Sequence, residues 1–183
     1  MCGITGIIAF TDKGKQSFQY IEHSVKYLTK RGPDGNGIYI NENVALGHTR
    51  LSIIDVSNNG AQPFTDESGR FTIVFNGEFY NYTEHRKILE QKGIKFRSTS
   101  DTEVLLYLYI NEGPNFIEKV NGFFSFAIYD KQENSVFIAR DRFGIKPLLY
   151  YKDEDKFIFS SEMKALLAFG IDKDMDEVSL FSY

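Results

Sequence analysis

Cys2 is the one cysteine in this chain of 183 residues, and it stands directly behind Met1. Removing Met1 would put a thiol and a free α-amine on the same carbon. Reference pKa values of about 8.5 for a thiol and about 7.7–8.0 for an α-amine let each titrate around neutral pH. The amine can therefore take the thiol proton, directly or through a water, and leave a nucleophilic thiolate. That chemistry needs no histidine. A cysteine near the start of a first strand is equally compatible with a small apolar residue simply buried there.

A thiolate acting on a carbonyl also needs donors for the developing oxyanion and anchors for the substrate. In Phe75-Asn76-Gly77-Glu78-Phe79-Tyr80-Asn81-Tyr82, the Asn76 side chain is an amide donor. Gly77 lets a backbone N–H approach an oxyanion closely. Asn-Gly after an apolar strand is also the common hairpin turn, although the residues that follow read as a helix rather than a returning strand. Arg50, in Gly47-His48-Thr49-Arg50-Leu51-Ser52-Ile53-Ile54-Asp55, has a guanidinium suited to gripping a carboxylate with two parallel hydrogen bonds. A surface ion pair is its plainer role. Asp101 fits an ammonium anchor or a simple complement to a helix dipole. His48 and His85 stand in no partner pattern and read as structural or surface residues. Each of these motifs alone is indecisive.

The elements that must position these groups are mixed. Phe18, Ile21, Val25 and Leu28 form one apolar helical stripe, stopped by Arg31-Gly32-Pro33. Strand-like runs follow at Ile38–Ile40, Val44–Thr49, Leu51–Asp55 and Arg70–Phe75. A second helix is predicted over Tyr82–Lys92, with Asn81 as its N-cap and Gly93 as its stop. Ser100-Asp101-Thr102-Glu103 has the form of a capping box and opens a third helix through Val104–Ile110, ended by Gly113-Pro114. Further strands are predicted at Phe123–Tyr129, Ser135–Ala139, Leu148–Lys152 and Lys156–Ser160, then a helix that begins after Ser161 and runs to Ala168. Helices do not alternate regularly with strands, so the class is α+β with antiparallel sheets rather than a doubly wound parallel sheet.

Composition narrows the function classes. With 21 Lys+Arg against 25 Asp+Glu, the formal charge is −4, which argues against a general binder of nucleic acid or anionic membrane. A lone cysteine makes no internal disulfide and suits a reducing, cytoplasmic compartment. No apolar run approaches the roughly 20 residues of a membrane span, and the N-terminus shows no export signal. The spacing of His and Cys predicts no metal site, and no phosphate loop is present. Asp172, Asp174 and Asp176 imitate a calcium loop, but Glu177 and Tyr183 stand where that loop needs Gly and Glu. The length suits a single domain.

Taken together, the motifs resemble a family. From Cys2 to about Leu167 the chain resembles the glutamine amidotransferase domain of glutamine-hydrolysing asparagine synthetases, class II amidotransferases of the N-terminal-nucleophile type. The resemblance rests on Met1-Cys2-Gly3-Ile4, Arg31-Gly32-Pro33-Asp34, Gly47–Asp55, Asn76–Asn81, Ser100–Glu103, Gly122–Asp130, Arg140–Leu148 and Ser160–Ala165, all in the family's order. It implies a four-layer αββα sandwich, loss of Met1, and attack by Cys2 on the side-chain amide of L-glutamine. It implies an oxyanion hole of the Asn76 side chain and the Gly77 N–H. Arg50 would bind the substrate α-carboxylate, Asp101 and Glu78 its α-amino group, and the backbone around Leu51 and Ile53 would line the pocket. The Arg31–Asp34 and Arg140–Pro147 segments would be structural supports.

The resemblance implies no cofactor in this domain. ATP and magnesium belong to a downstream synthetase domain, whose Ser-Gly-Gly-x-Asp-Ser loop does not occur here. Residues 1–183 therefore read as the amidotransferase part of a longer protein, with the C-terminal synthetase domain of the same chain as partner and homodimerisation left open. Glucosamine-6-phosphate synthases, phosphoribosylpyrophosphate amidotransferases and carbohydrate amide-transfer proteins share the Cys2 chemistry. Arg50-Leu51-Ser52-Ile53 and Arg31–Asp34 favour the asparagine synthetase branch. A non-catalytic glutamine-binding module would keep Arg50 and Asp101 without needing Cys2, and another amide hydrolase would keep Cys2 without the amino-acid clamp.

Overall fold

The computed structural model describes residues 1–173; Asp174, Asp176 and the Val178–Tyr183 segment lie outside them. In chain order the described elements are β1 (Gly3–Ala9), α1 (Asp12–Lys15), α2 (Ile21–Tyr27), β2 (Gly35–Asn41), β3 (Val44–Arg50), β4 (Phe64–Thr65) and β5 (Phe71–Phe79). They continue with α3 (Tyr82–Gln91), α4 (Asp101–Glu112), β6 (Gly122–Asp130), β7 (Ser135–Arg140), β8 (Leu149–Lys152), β9 (Lys156–Ser160) and α5 (Met163–Leu167). The strands form two antiparallel sheets, ordered β2-β3-β1-β9-β8 and β4-β5-β6-β7.

Period-two alternation sorts the apolar side chains into three layers. Ile4 of β1 meets Leu46, Val74, Ala127, Tyr129 and Phe159 between the two sheets. Its neighbour on the other face, Ile7, packs with Ile21, Ala45, Ile158 and Leu166, where α2 and α5 cover the first sheet. Ile73, Phe75 and Phe79 of β5, with Phe124, Phe126 and Ile128 of β6, bury themselves against Leu89 of α3 and Val104, Leu105 and Leu108 of α4. The order is helix, sheet, sheet, helix, the αββα sandwich of an α+β protein. β1 is the central strand of its sheet, paired with β3 and β9, so Cys2 directly precedes a strand held on both sides.

Several local expectations are corrected. The stripe beginning at Phe18 is a 3₁₀ turn over Gln16–Tyr20 before it becomes α2. Leu51–Asp55 is not a strand, because side chains take its backbone donors: Leu51 N–H points at Cys2 Sγ (3.4 Å) and Ser52 N–H at Asp34 Oδ2 (2.8 Å). Asn81 stands at the N-cap position of α3 as expected, but its side chain makes no capping bond; it donates to Lys119 O at 3.0 Å and accepts from Asn121 N at 2.9 Å, tying the helix start to the start of β6. Only half of the capping box forms. Ser100 Oγ accepts from Glu103 N at 3.3 Å, whereas Glu103 bonds Arg97 N and Ser98 N. Its place at Ser100 N is already filled by Ser98 Oγ at 3.3 Å.

Candidate active site

Three separate segments hold the start of the chain. Ser161 bonds both sides of Ile4, accepting from its N–H at 3.0 Å and donating its own N–H to the Ile4 carbonyl at 2.9 Å. Arg31 Nε donates to the Cys2 carbonyl at 2.9 Å, and Arg31 Nη1 pairs with Glu162 Oε1 at 3.2 Å. The Arg31–Asp34 turn and the Ser160–Ala165 block thus clamp the residue that carries the thiol. Cys2 Sγ lies between the N–H and the carbonyl of Leu51, at 3.4 and 3.7 Å. Burial raises the pKa of this thiol above its ordinary value, and Asp101 adds to that. The Leu51 N–H, the N-terminal ammonium and Lys146 oppose it.

The donors opposite come from one edge of β5. Phe124, register partner of Gly77, spends its own groups on Asp141, accepting from Asp141 N at 2.8 Å and donating to Asp141 Oδ2 at 3.3 Å. Gly77 and Phe124 are therefore a pair without mutual hydrogen bonds, and the Gly77 N–H points away from β6. On that far edge β4 pairs only as far as Ile73. Beyond it, Phe75 N donates to Gln62 Oε1 at 2.7 Å and Phe79 N to Asp101 Oδ2 at 3.0 Å. The Gly77 N–H falls between these two, where no strand receives it. A side chain at 77 would place its Cβ 2.4 Å from the Phe123 carbonyl oxygen, so the close β5–β6 approach requires glycine.

Asn76 faces the other sheet and is fully buried, and neither its Nδ2 nor its Oδ1 has a partner. A native fold rarely tolerates this, because each such group lacks the hydrogen bonds water would give it. His48 links the sheets through its Nε2, 3.2 Å from the Phe75 carbonyl. That carbonyl only accepts, so Nε2 carries the proton. Burial pushes the His48 pKa to about 3, and the ring stays neutral and structural, as its lack of a partner pattern implied.

Arg50 is fixed by the loop that follows it. Its Nη1 donates to Ser57 O at 2.7 Å and its Nη2 to the Asp55 carbonyl. Two of five N–H donors are used, which leaves enough for a bidentate carboxylate grip. Burial alone would raise the Asp55 carboxyl, but bonds from Ser57 and Thr99 outweigh it and hold the pKa at about 2. This anion staples the Arg50 loop to the entry of α4, with Thr99 N 2.8 Å from Asp55 Oδ2. Asp101, first residue of α4, is buried, which together with Glu78 raises its pKa to about 6 against the opposing backbone bonds.

All the residues the sequence singled out, namely Cys2, Arg50, Leu51, Ile53, Asn76, Gly77, Glu78 and Asp101, line one cleft that opens to solvent. Lys146 lines it too. The Arg140–Pro147 segment, read as a support, also contributes this side chain to the cleft wall. No spacing rule marks Lys146; only the loop's return to the N-terminus brings it there. Among the described residues, no three His, Cys, Asp or Glu side chains gather as a metal site would require.

Residues 1–183 match the family described as the glutamine amidotransferase domain. The chain belongs to that family. Among relatives of this glutamine amidotransferase domain, asparagine synthetase [glutamine-hydrolyzing] 3 of Bacillus subtilis is 42% identical over 170 residues, covering 92% of this chain and 28% of the relative. Asparagine synthetase B [glutamine-hydrolyzing] of Escherichia coli is 39% identical over 171 residues, covering 91% of this chain and 30% of the relative. The amidotransferase domain spans 22% to 36% of the length of the curated relatives it matches. Its fold is shared with glutamine phosphoribosylpyrophosphate amidotransferase from B. subtilis, at a TM-score of 0.74 and 24% identity, over 92% of this chain and 44% of that one. None of the described helices is long and apolar enough to cross a membrane.

Proposed function

We propose that this domain hydrolyses L-glutamine to glutamate and ammonia through a thioester on Cys2. The observation that carries the reading is the convergence, around one thiol, of a fully buried Asn76 amide without partners and the outward Gly77 N–H. With Met1 removed, the Cys2 α-amine takes the thiol proton. The thiolate then attacks the side-chain carbonyl carbon of glutamine. The carbonyl oxygen becomes an oxyanion between Asn76 Nδ2 and the Gly77 N–H, donors already in place before charge develops. The α-ammonium returns its proton to the amide nitrogen, the C–N bond breaks, and ammonia leaves. Water gives a proton to the freed α-amine as its oxygen adds to the thioester carbonyl; the C–S bond then breaks, and the α-ammonium returns the proton to the Cys2 sulfur as glutamate forms.

Arg50 grips the substrate α-carboxylate, and Asp101 with Glu78 receives the α-ammonium, so the free amino acid is selected at both ends. The backbone at Leu51 and Ile53 closes the wall beside the sulfur. The ammonia serves a downstream ATP-dependent synthetase domain that makes asparagine; the likeness to glutamine-hydrolysing asparagine synthetases supports this, as do Arg50-Leu51-Ser52-Ile53 and Arg31–Asp34. Asparagine formation would need ATP and magnesium in that partner domain and none in this one. A free thiol at the heart of the site suits the reducing cytoplasm. The test is intact mass together with ammonia release from L-glutamine, using untagged protein. Loss of the Met1 mass with ammonia formed supports the proposal; folded, processed protein that releases none overturns it.

A further inference from the structure

Lys146 is 4% exposed, yet no ion pair among the described residues includes it. Burying an ammonium without a carboxylate partner is unfavourable, and a fold that does so is spending stability on that charge. Its place is built rather than incidental. Lys146 N donates to Asp141 Oδ2 at 2.9 Å, and Arg140 Nε donates to the Lys146 carbonyl at 2.7 Å. Asp141 also receives Phe143 N at 3.1 Å and Ile145 N at 2.9 Å, so one carboxylate closes the whole loop. The side chain then runs under the cleft, with Nζ 4.4 Å from the Phe123 ring centre and 3.0 Å from Met1 Sδ.

That last contact carries the argument. Met1 Sδ is the only polar atom of another residue within hydrogen-bond reach of Nζ among the described residues. Loss of Met1 removes it, and Lys146 and the new terminus at Cys2 line the same cleft. We propose that Lys146 acts through Cys2, its charge favouring thiolate over thiol and free amine over ammonium once Met1 is gone. One cation does both, since a positive neighbour disfavours a second ammonium and favours an anion. The other charged groups around the pair are Asp101 and the terminal ammonium near the thiol, and Glu78, Asp141 and Arg31 near Lys146. Burial pulls the Lys146 pKa down and Arg31 adds to that, while Glu78, Cys2 and Asp141 push it back. The role rests on the glutaminase reading, but its test does not.

Cys2 is the only thiol, so alkylation by iodoacetamide as a function of pH reads that one group in the processed chain. Lys146→Met is expected to raise the apparent thiol pKa by about one unit or more. It should also move the acid limb of kcat for glutamine hydrolysis to higher pH, with most of the rate recovered at alkaline pH. Lys146→Arg keeps the charge and should keep the alkylation profile near wild type. Should Lys146→Met not fold, Lys146→Gln carries the same expectation. A charge-free variant that folds with the wild-type melting temperature and alkylates along the wild-type profile overturns the inference. So does an Arg variant shifted as far as the Met variant. A wild-type protein that releases no ammonia would sink the glutaminase proposal while leaving the thiol titration readable.

Discussion

Asn76→Ala separates a substrate-serving residue from a structural one, because the two readings predict opposite signs for stability. The Asn76 side chain is fully buried and both its polar atoms lack partners. A buried polar group left unsatisfied costs about 1–3 kcal/mol. Truncation to alanine removes that penalty but forfeits packing worth about 1 kcal/mol, on the scale of about 0.8 kcal/mol per methylene. The net expectation is a variant as stable as wild type or more stable by up to about 2 kcal/mol. At roughly 2–4 °C per kcal/mol for a chain of this size, Tm should hold or rise by several degrees. The rate should move the other way, since losing one oxyanion donor costs about 10²–10³ in kcat. Thermal melts and ammonia release on the same preparations decide it. A Tm that falls by several degrees alongside the rate would show that Asn76 supports the fold instead, and the oxyanion assignment would fail.

Other expectations follow from the same cleft. Cys2→Ala should abolish hydrolysis more completely than Asn76→Ala, and equal residual rates would contradict the division of roles. Asp101 titrates near 6 in the fold against 3.8 when free. Its native form therefore holds a proton between about pH 4 and 6 that the unfolded chain has lost, and stability declines as pH rises through that window. Asp101→Asn should stabilise the fold relative to wild type at pH 8, by on the order of 2–3 kcal/mol at most and read as a higher Tm, and not at pH 4. It should also raise KM for glutamine, and wild-type KM should rise as pH falls through about 6, which initial-rate kinetics would check. In Gly60→Ala the new Cβ lies 2.6 Å from Arg50 Nη2. That side-chain end can move, so KM should rise several-fold with kcat and Tm little changed. Gly32→Ala meets backbone instead, at 2.4 Å from both Arg50 N and Thr49 C, and should lower Tm outright.

Much of the fold was readable because its signals are local. The apolar alternation in Phe71–Phe79 and Gly122–Asp130 and the Ser100 cap before α4 depend on residues only a few positions apart. The candidate roles of Cys2, Asn76, Gly77, Arg50 and Asp101 came from residue type, and within the sequence only the family resemblance joined them; the fold brings them to one cleft. Elsewhere the deciding partner lies far along the chain. Leu51–Asp55 has a strand's composition, yet its donors go to Cys2 and Asp34. Glu103 is spaced for a capping box, yet Ser98 already occupies the reciprocal position. Lys146 carries no pattern at all, because its significance is the position of Nζ beside a terminus 145 residues away.

The Gly77 N–H, the Leu51 N–H and the amine that removal of Met1 would expose all belong to the main chain, so substitution acts on this site unevenly. Swapping a side chain deletes Arg50, Asn76 or Asp101 in one step. No such swap deletes a peptide N–H, short of proline. A saturation scan should therefore find Leu51 tolerant of other apolar residues despite its contact with the nucleophile. Position 77 should reject nearly everything, on grounds of space rather than chemistry. Part of the machinery is thus sheltered from point mutation, and sensitivity in such a scan will under-report the groups nearest the sulfur.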